Sequence, residues 1–286
     1  MRIVNTFISD TNDIPEYTKT CLEQARKYNQ STPIDFISAK PAEYFKDLDV
    51  NWINQNDVMG DSLNAFREVS WFDRHGTPNT KHPSPEGFWA KTAERLFYLD
   101  EYIWQNDLTD VIHFENDVML YEDIEKIEPT HNIMGVNTSF YQTTFALAYI
   151  KNKEYYRHLC FTLINMMRQG ERQLLSFGFD HISEMSLLSM AEKLNNIGSF
   201  NTLPEKDNDY VFDPSSYGQF LGGTNNEHGP GFTDPKHYVG QKIKSGHIEV
   251  LFGGSNYPVV WDKINDTHKK IFNLHIHSKN LEKFKT

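Results

Sequence analysis

Cysteine is nearly absent from this chain: Cys21 and Cys160 stand far apart in 286 residues, without metal-ligand spacing. Both fall in apolar-periodic stretches, so buried free thiols are expected rather than a disulfide. Long apolar runs are missing too. No stretch approaches ~18 residues, and the opening Met1-Arg-Ile-Val-Asn-Thr has no secretory apolar core, so a cytoplasmic protein without an integral membrane segment is expected. Positive charge is scarce, with 28 Lys and Arg against 39 Asp and Glu and a formal net charge of -11. That balance argues against a nucleic-acid groove or an anionic membrane surface as the main partner. A phosphorylated ligand is still compatible with it, provided that a bound cation rather than a basic patch meets the phosphates. The GxGxxG fingerprint, the P-loop, the GxSxG elbow and the His-Glu-x-x-His motif are all absent, which counts against dehydrogenase, NTPase, serine-hydrolase and zincin chemistry. There is no internal repeat, heptad or low-complexity segment.

What the chain has in quantity is aromatic residues, 20 Phe and 14 Tyr among them, which argues for a folded body. It also has 12 His, several close to acidic residues, which justifies looking for a metal. Arg2 to Ile8 reads as a largely buried strand, followed by the polar run Ser9 to Asp13. A helix comes next with Pro15 in its first turn, and Ile14, Tyr17, Cys21, Ala25 and Tyr28 lie on one face at helical spacing. Pro33 opens a second strand that runs through Ser38. Strand, helix and strand at this length make a βαβ unit, so an α/β domain is expected.

Residues 55 to 85 read as irregular, and a helix is predicted from Glu86 to Gln105. Asp110 to Phe114 is expected as a strand, broken at Glu115-Asn116-Asp117 and resumed at Val118 to Leu120. Strands are predicted at Ile133–Val136 and Phe145–Ile150, and helices at 152–168 and 181–194. The Gly-, Pro- and Asn-rich stretch from Asp213 to Gly240 reads as a long ordered or closing loop. A last strand is expected over Ile271–His277.

The sharpest chemical signal is Val111-Ile-His-Phe-Glu115-Asn116-Asp117-Val118. Carboxylates at i and i+2 on extended backbone can point to one side, and oxygen ligands suit Mg²⁺ or Mn²⁺. The end of a strand in an α/β sheet is where such folds bind ligands, although a polar turn closing a strand would look the same. In Ile271-Phe-Asn-Leu-His275-Ile-His277, strict alternation puts Phe272, Leu274 and Ile276 on one face and Asn273, His275 and His277 on the other. Two imidazoles opposite an apolar face suit a metal or phosphate site, with an edge strand bearing solvent-facing His as the alternative. Lys279 follows within reach of a phosphate oxygen.

The N-terminal βαβ unit, the central strand ending in Glu115-Asn116-Asp117 and the late His275-Ile-His277-Ser-Lys279 together resemble a GT-A glycosyltransferase. The resemblance implies a GT-A-like α/β/α sandwich with a central mixed, mostly parallel sheet. It implies one domain over 1–286, with a nucleotide-sugar-binding half at 1–125 and an acceptor-side half at 126–286. In that family an Asp-x-Asp motif meets the metal and the donor diphosphate; Glu at the first position departs from the pattern. Carried over, Asp117 is the direct metal ligand, Glu115 faces the ribose or a metal-bound water, and His275 or His277 is the late ligand of Mn²⁺ or Mg²⁺. Lys279 becomes a phosphate contact, and Asn5, Thr6, Phe7 and Ser38 lie at the nucleoside. Arg95 reaches the donor, and Asn116 belongs to the same donor-binding group. Ser183-Glu184-Met-Ser-Leu187-Leu188 is similar to the family's acidic motif at a helix start, where the carboxylate is the general base of inverting members. Glu184 is the first choice for that base and Asp180, one turn earlier, the second; acidic residues in a first helical turn are also favoured by the helix dipole alone. Phe212 to Gly223, with Tyr217 stacking on sugar, is a candidate acceptor or lid segment.

The expected activity is therefore transfer of a sugar from a nucleoside diphosphate sugar, a UDP-sugar for preference, to a glycan or other hydroxyl acceptor with inversion. One alternative is a metal-dependent hydrolase or phosphoesterase built on His113, Asp117, His275 and His277. The other is a sugar- or nucleotide-binding module without turnover.

Overall fold

A computed structural model describes residues 1–9, 13–72, 88–179, 181–205, 207–224, 231–252 and 257–286. The first βαβ unit is β1 (Arg2–Phe7), α1 (Tyr17–Tyr28) and β2 (Ile34–Ser38). β1 and β2 pair in parallel, with Ile3 opposite Ile34 and Phe7 opposite Ser38. Pro15 lies just ahead of α1, where its carbonyl accepts the Thr18 N–H at 3.0 Å. A further strand, β3 (Val50–Asn54), adds in parallel to β2. The sequence pattern did not reveal β3, because Asn51 and Asn54 break the apolar alternation of an edge strand.

Then come α2 (Asp61–Val69), α3 (Phe88–Gln105), β4 (Thr109–Phe114) and β5 (Val118–Leu120). α2 corrects the expectation of an irregular stretch. Its N-cap, Gly60, has no side chain with which to satisfy the first-turn amides, and α3 supplies the missing acceptor. Glu101 Oε1 accepts from Ser62 N and Ser62 Oγ, each at 2.7 Å. A Cβ at Gly60 would stand 2.1 Å from Glu101 Oε2, so the residue must be glycine for this cap to fit. Residues 73–85 of the expected irregular stretch, and 86 and 87 of the expected helix after it, lie outside the described residues.

The hairpin β6 (Ile133–Ser139) and β7 (Gln142–Asn152) is followed by α4 (Lys153–Arg168), α5 (Glu171–Leu175), α6 (Glu184–Asn195), β8 (Gly198–Ser199) and β9 (Tyr210–Val211). The chain closes with α7 (Tyr238–Lys244), β10 (Ile248–Leu251), β11 (Val259–Asp262), β12 (Thr267–Ile271) and β13 (Asn273–His275).

The central sheet is seven-stranded, in the order β3-β2-β1-β4-β7-β6-β8. It is mixed and mostly parallel as expected, and only β7 runs against its neighbours. Strand alternation sends side chains into two cores. Ile3, Ile34, Phe36, Ile112 and Phe114 pack with Cys21, Leu22 and Ala25 of α1. Val4, Ile37, Val111, Ala148 and Ile150 pack with α2, α3, α4 and α6 on the other face. Burial on both faces is what a parallel sheet requires, and it makes the α/β/α sandwich. Both cysteines are free and buried. No helix among the described residues is long and apolar enough to cross a membrane.

The expected last strand is divided. β12 belongs to a small sheet ordered β10-β11-β12-β9, whereas β13 pairs antiparallel with β5. The chain changes partners at Phe272, whose N–H donates to Val211 O at 2.8 Å and whose carbonyl accepts from Tyr121 N at 2.9 Å. The alternation still holds, with Phe272, Leu274 and Ile276 fully buried. Asn273 and His275 are buried as well, so the His275 imidazole does not face solvent, and His277 is partly buried.

Candidate active site

β4 ends at Phe114, and a tight turn follows in which Val118 N–H donates to Glu115 O at 3.0 Å. The turn brings Glu115 and Asp117 to one side of the sheet edge. Pairing of β5 with β13 then sets His275 opposite Val118, and Ile276 N–H donates to the Asp117 carbonyl at 2.8 Å. His275 Nε2 lies 3.2 Å from Asp117 Oδ1 and 3.5 Å from Glu115 Oε2. One ligand atom from each of Glu115, Asp117 and His275 falls within 4.8 Å of the others. Two carboxylate oxygens and one imidazole nitrogen are a donor set that fits Mn²⁺ or Mg²⁺.

The His275 ring is fixed from behind. Ser215 Oγ lies 2.7 Å from His275 Nδ1, which leaves Nε2 to the carboxylates. The backbone around it is organised by Asp213, whose carboxylate accepts from Ser216 N (2.7 Å), Tyr217 N (2.7 Å), Gly218 N (2.9 Å) and His275 N (2.9 Å). Burial pushes the Asp213 carboxyl up, against the pull of these amides. Ser215 itself has φ +71°, an unusual left-handed conformation that the Asp213 bonds hold in place. Asp213 and Ser215 fall in the segment expected as an acceptor or lid, and their support of His275 was not found from sequence, because a loop carries no periodicity to mark it. Tyr217, expected to stack on sugar, is instead fully buried with its hydroxyl donating to Thr202 O at 2.6 Å, because it anchors this loop.

Two cations balance the carboxylates. Arg95 Nη2, from α3, lies 2.6 Å from Glu115 Oε1 and 2.7 Å from Glu184 Oε1. Lys279 Nζ pairs with Asp117 Oδ2. Burial works to raise the Glu115 carboxyl, but Arg95 and His275 outweigh it and bring it down to about 2. Burial likewise opposes ionisation of Asp117, and His275 and Lys279 hold it well below the usual carboxylate range. Burial depresses His275, yet Asp117 and Glu115 reverse the sign and raise it. Glu184 is the first residue of α6, whose N-cap Ser183 forms a capping box with Ser186. Burial raises its carboxyl, with Arg95 opposing. Asp180, the second candidate base, lies outside the described residues.

His277 is not part of the three-residue cluster. Its ring meets that of His275 edge-on at 4.2 Å between centroids, and its Nδ1 lies 2.7 Å from Gln219 Nε2. His113 is also apart: its Nδ1 lies 2.8 Å from Val4 O, between β1 and β4. Burial and Arg95 bring it down to about 4. The four-ligand set of the hydrolase reading is therefore not assembled among the described residues.

The cluster opens into a cleft of about 510 Å³ whose walls include Trp89, Arg95, Glu115, Asp117, Gln142, Thr144, Glu184, Gln219, Phe232, His237, His275, His277 and Lys279. Asn5, Thr6, Phe7 and Ser38 do not line it. Asn5 is fully buried with its carboxamide against the Phe114 backbone. Ser38 Oγ donates to Lys40 O at 2.7 Å. Phe7 packs partly buried against the α1-side core. Asn116 links these residues to the cluster, with Nδ2 donating to Thr6 O at 2.9 Å. Its Oδ1 and Thr6 Oγ1 are buried without a hydrogen-bond partner among the described residues.

No protein-family model matches the chain, and no curated protein matches it by sequence. Among solved structures it is similar to the galactosyltransferase LgtC in complex with donor and acceptor sugar analogues, at 14% identity and a TM-score of 0.48, over 82% of this chain and 83% of that one. It is similar to apo mouse xyloside xylosyltransferase 1 at 11% identity and a TM-score of 0.46, over 70% and 84% of the two chains. It is also similar to the glycosyltransferase GlyE of Streptococcus pneumoniae TIGR4 at 11% identity and a TM-score of 0.45, over 82% of this chain and 52% of that one.

Proposed function

We propose that this chain is a divalent-metal-dependent glycosyltransferase of the GT-A kind, moving a sugar from a nucleoside diphosphate sugar, a UDP-sugar first, to a hydroxyl acceptor with inversion. The observation that carries the reading is the convergence of Glu115, Asp117 and His275 at the end of a central strand, with Lys279 and Arg95 against the same carboxylates. In this reading Asp117, His275 and Glu115 hold Mn²⁺ or Mg²⁺. The ion supplies charge neutralisation for the departing diphosphate.

The rest of the work belongs to the chain. Lys279, its side chain 45% exposed, is free enough to turn from Asp117 to a phosphate oxygen. Arg95 bonds both Glu115 and Glu184 and favours their ionised forms against the effect of burial. Glu184 accepts the proton of the acceptor hydroxyl while that oxygen bonds to the sugar carbon and the sugar–phosphate bond breaks; a raised carboxyl is suited to this task near neutral pH. The cluster draws Glu115 and Asp117 from one half of the chain and His275 and Lys279 from the other, so we treat 1–286 as one working unit.

Calorimetric titration of UDP into metal-stripped protein, with and without Mn²⁺, tests the reading. Binding that needs Mn²⁺ and is lost in Asp117→Ala supports it. UDP binding that is the same without Mn²⁺ or in Asp117→Ala, or no UDP binding under either condition, would overturn it.

A further inference from the structure

We infer that His277 is a hydrogen-bond donor to the anionic end of the ligand rather than a metal ligand, and that Gln219 fixes it in that role. The inference rests on the metal and diphosphate reading above and assigns one residue within it. Gln219 lies in the π-helical turn Gln219–Gly223. Its Oε1 accepts the backbone N–H of Phe232 at 3.0 Å, so the orientation of the amide is decided by a donor that cannot reverse. Gln219 Nε2 therefore faces His277 Nδ1, at 2.7 Å. An NH₂ group needs a lone pair opposite it, so Nδ1 is unprotonated and the ring proton sits on Nε2.

A ring nitrogen carrying a proton cannot coordinate a cation. It can donate to an oxygen, and the ring lines the cleft beside Lys279 and Asp117. His275 has a different kind of partner: Ser215 Oγ, 2.7 Å from its Nδ1, is a hydroxyl that can accept a proton there, which a Gln NH₂ cannot, and its Nε2 faces the two carboxylates. The two imidazoles, 4.2 Å apart, are thus divided between cation and anion. Gln219 is a positioning residue. Because its amide is keyed by Phe232, the seating of Gly231–Thr233 is coupled to how His277 meets the ligand.

The test begins with the unmodified chain. Long-range ¹H–¹⁵N correlation spectra of the histidine rings, with His277 assigned by its loss in His277→Ala, should show the Nε2–H tautomer without metal. An Nδ1–H tautomer would overturn the inference. His277→Ala should then leave Mn²⁺ affinity within about twofold while weakening inorganic pyrophosphate, titrated in the presence of Mn²⁺, by about tenfold, the size of one charge-assisted hydrogen bond. A fall in Mn²⁺ affinity equal to that of His275→Ala would overturn it as well. Gln219→Met should shift the His277 signals toward a tautomer mixture; an unchanged Nε2–H spectrum would remove Gln219 from the role. If the unmodified protein binds neither Mn²⁺ nor pyrophosphate, the transferase reading fails, and with it the anion-donor role, whatever tautomer the spectra show.

Discussion

Ile276 donates its backbone N–H to the carbonyl of Asp117 at 2.8 Å, and this one bond registers the C-terminal imidazole against the central acidic turn. It extends the β5–β13 ladder by one step beyond His275 and Val118. Because side chains on a strand alternate, a slip of one residue would turn His275 away and bring an apolar neighbour to the carboxylates. The fully buried Leu274 and Ile276 hold the register that keeps His275 in place.

Asp117→Asn tests the cluster with little change of shape. It keeps the backbone bond to Ile276 but removes the charge that both His275 and Lys279 face. Mn²⁺ affinity measured by calorimetry should fall by about 100-fold or more, which is about 3 kcal/mol. Nucleotide binding in the presence of Mn²⁺ should fall with it. Retention of both would remove Asp117 from the ligand set.

The acid stability of the metal-free protein should report Glu115. Its carboxyl is held at about 2 in the folded chain against an ordinary value of 4.5. A depressed acid contributes stability that is present above the unfolded value and lost as pH falls through the folded one. The loss should therefore run from about pH 4.5 down to about pH 2, with a ceiling of about 3 kcal/mol. Urea unfolding as a function of pH should show this slope, and Glu115→Gln should flatten it. An equal slope in the variant would mean that other carboxylates account for it.

The sequence made the central elements legible where periodicity was strong. The apolar face of α1, the strand before Glu115-Asn116-Asp117 and the alternation around His275 were all read from spacing. α2 was not, because its cap comes from Glu101 on a different helix. The roles of Asp213, Ser215 and Gln219, within the segment read as an acceptor or lid, were not, because each acts through bonds to residues distant in sequence, from a loop without a repeat. Tyr217 shows the converse error: an aromatic beside glycines reads as a binding platform, yet its fully buried ring holds the loop that supports His275.

Arg95 should matter for stability before it matters for chemistry. Its guanidinium lies between Glu115 and Glu184, and Glu184 is only 5% exposed. Arg95→Met would leave two largely buried carboxylates without their shared partner, a change that typically costs about 3–5 kcal/mol. Chemical denaturation should show a loss of that size at neutral pH, smaller at low pH where the carboxylates protonate. A loss that does not depend on pH would point to packing instead.

Glu184→Gln separates base chemistry from donor binding. The amide keeps an oxygen for Arg95 but cannot take a proton, so turnover should fall by about 10²–10⁴-fold with Mn²⁺-dependent nucleotide binding kept. In the parent protein the rate should fall as pH drops through a raised carboxyl, so the acid limb lies above the ordinary 4.5. Near-parental turnover in the variant would move the base elsewhere in the cleft.

Ser215→Ala removes only the support behind the metal-facing imidazole. Ser215 Oγ is 2.7 Å from His275 Nδ1, on the side of the ring away from the carboxylates. Without it the ring can swing, so part of the population no longer presents Nε2 on the side of Asp117 and Glu115. Supports of this kind are worth about 10–100-fold in metal affinity when removed. The Mn²⁺ dissociation constant should rise by that factor while the folded content seen by circular dichroism stays the same. An unchanged constant would mean that Asp213, through the His275 backbone N–H, is enough to hold the ring in place.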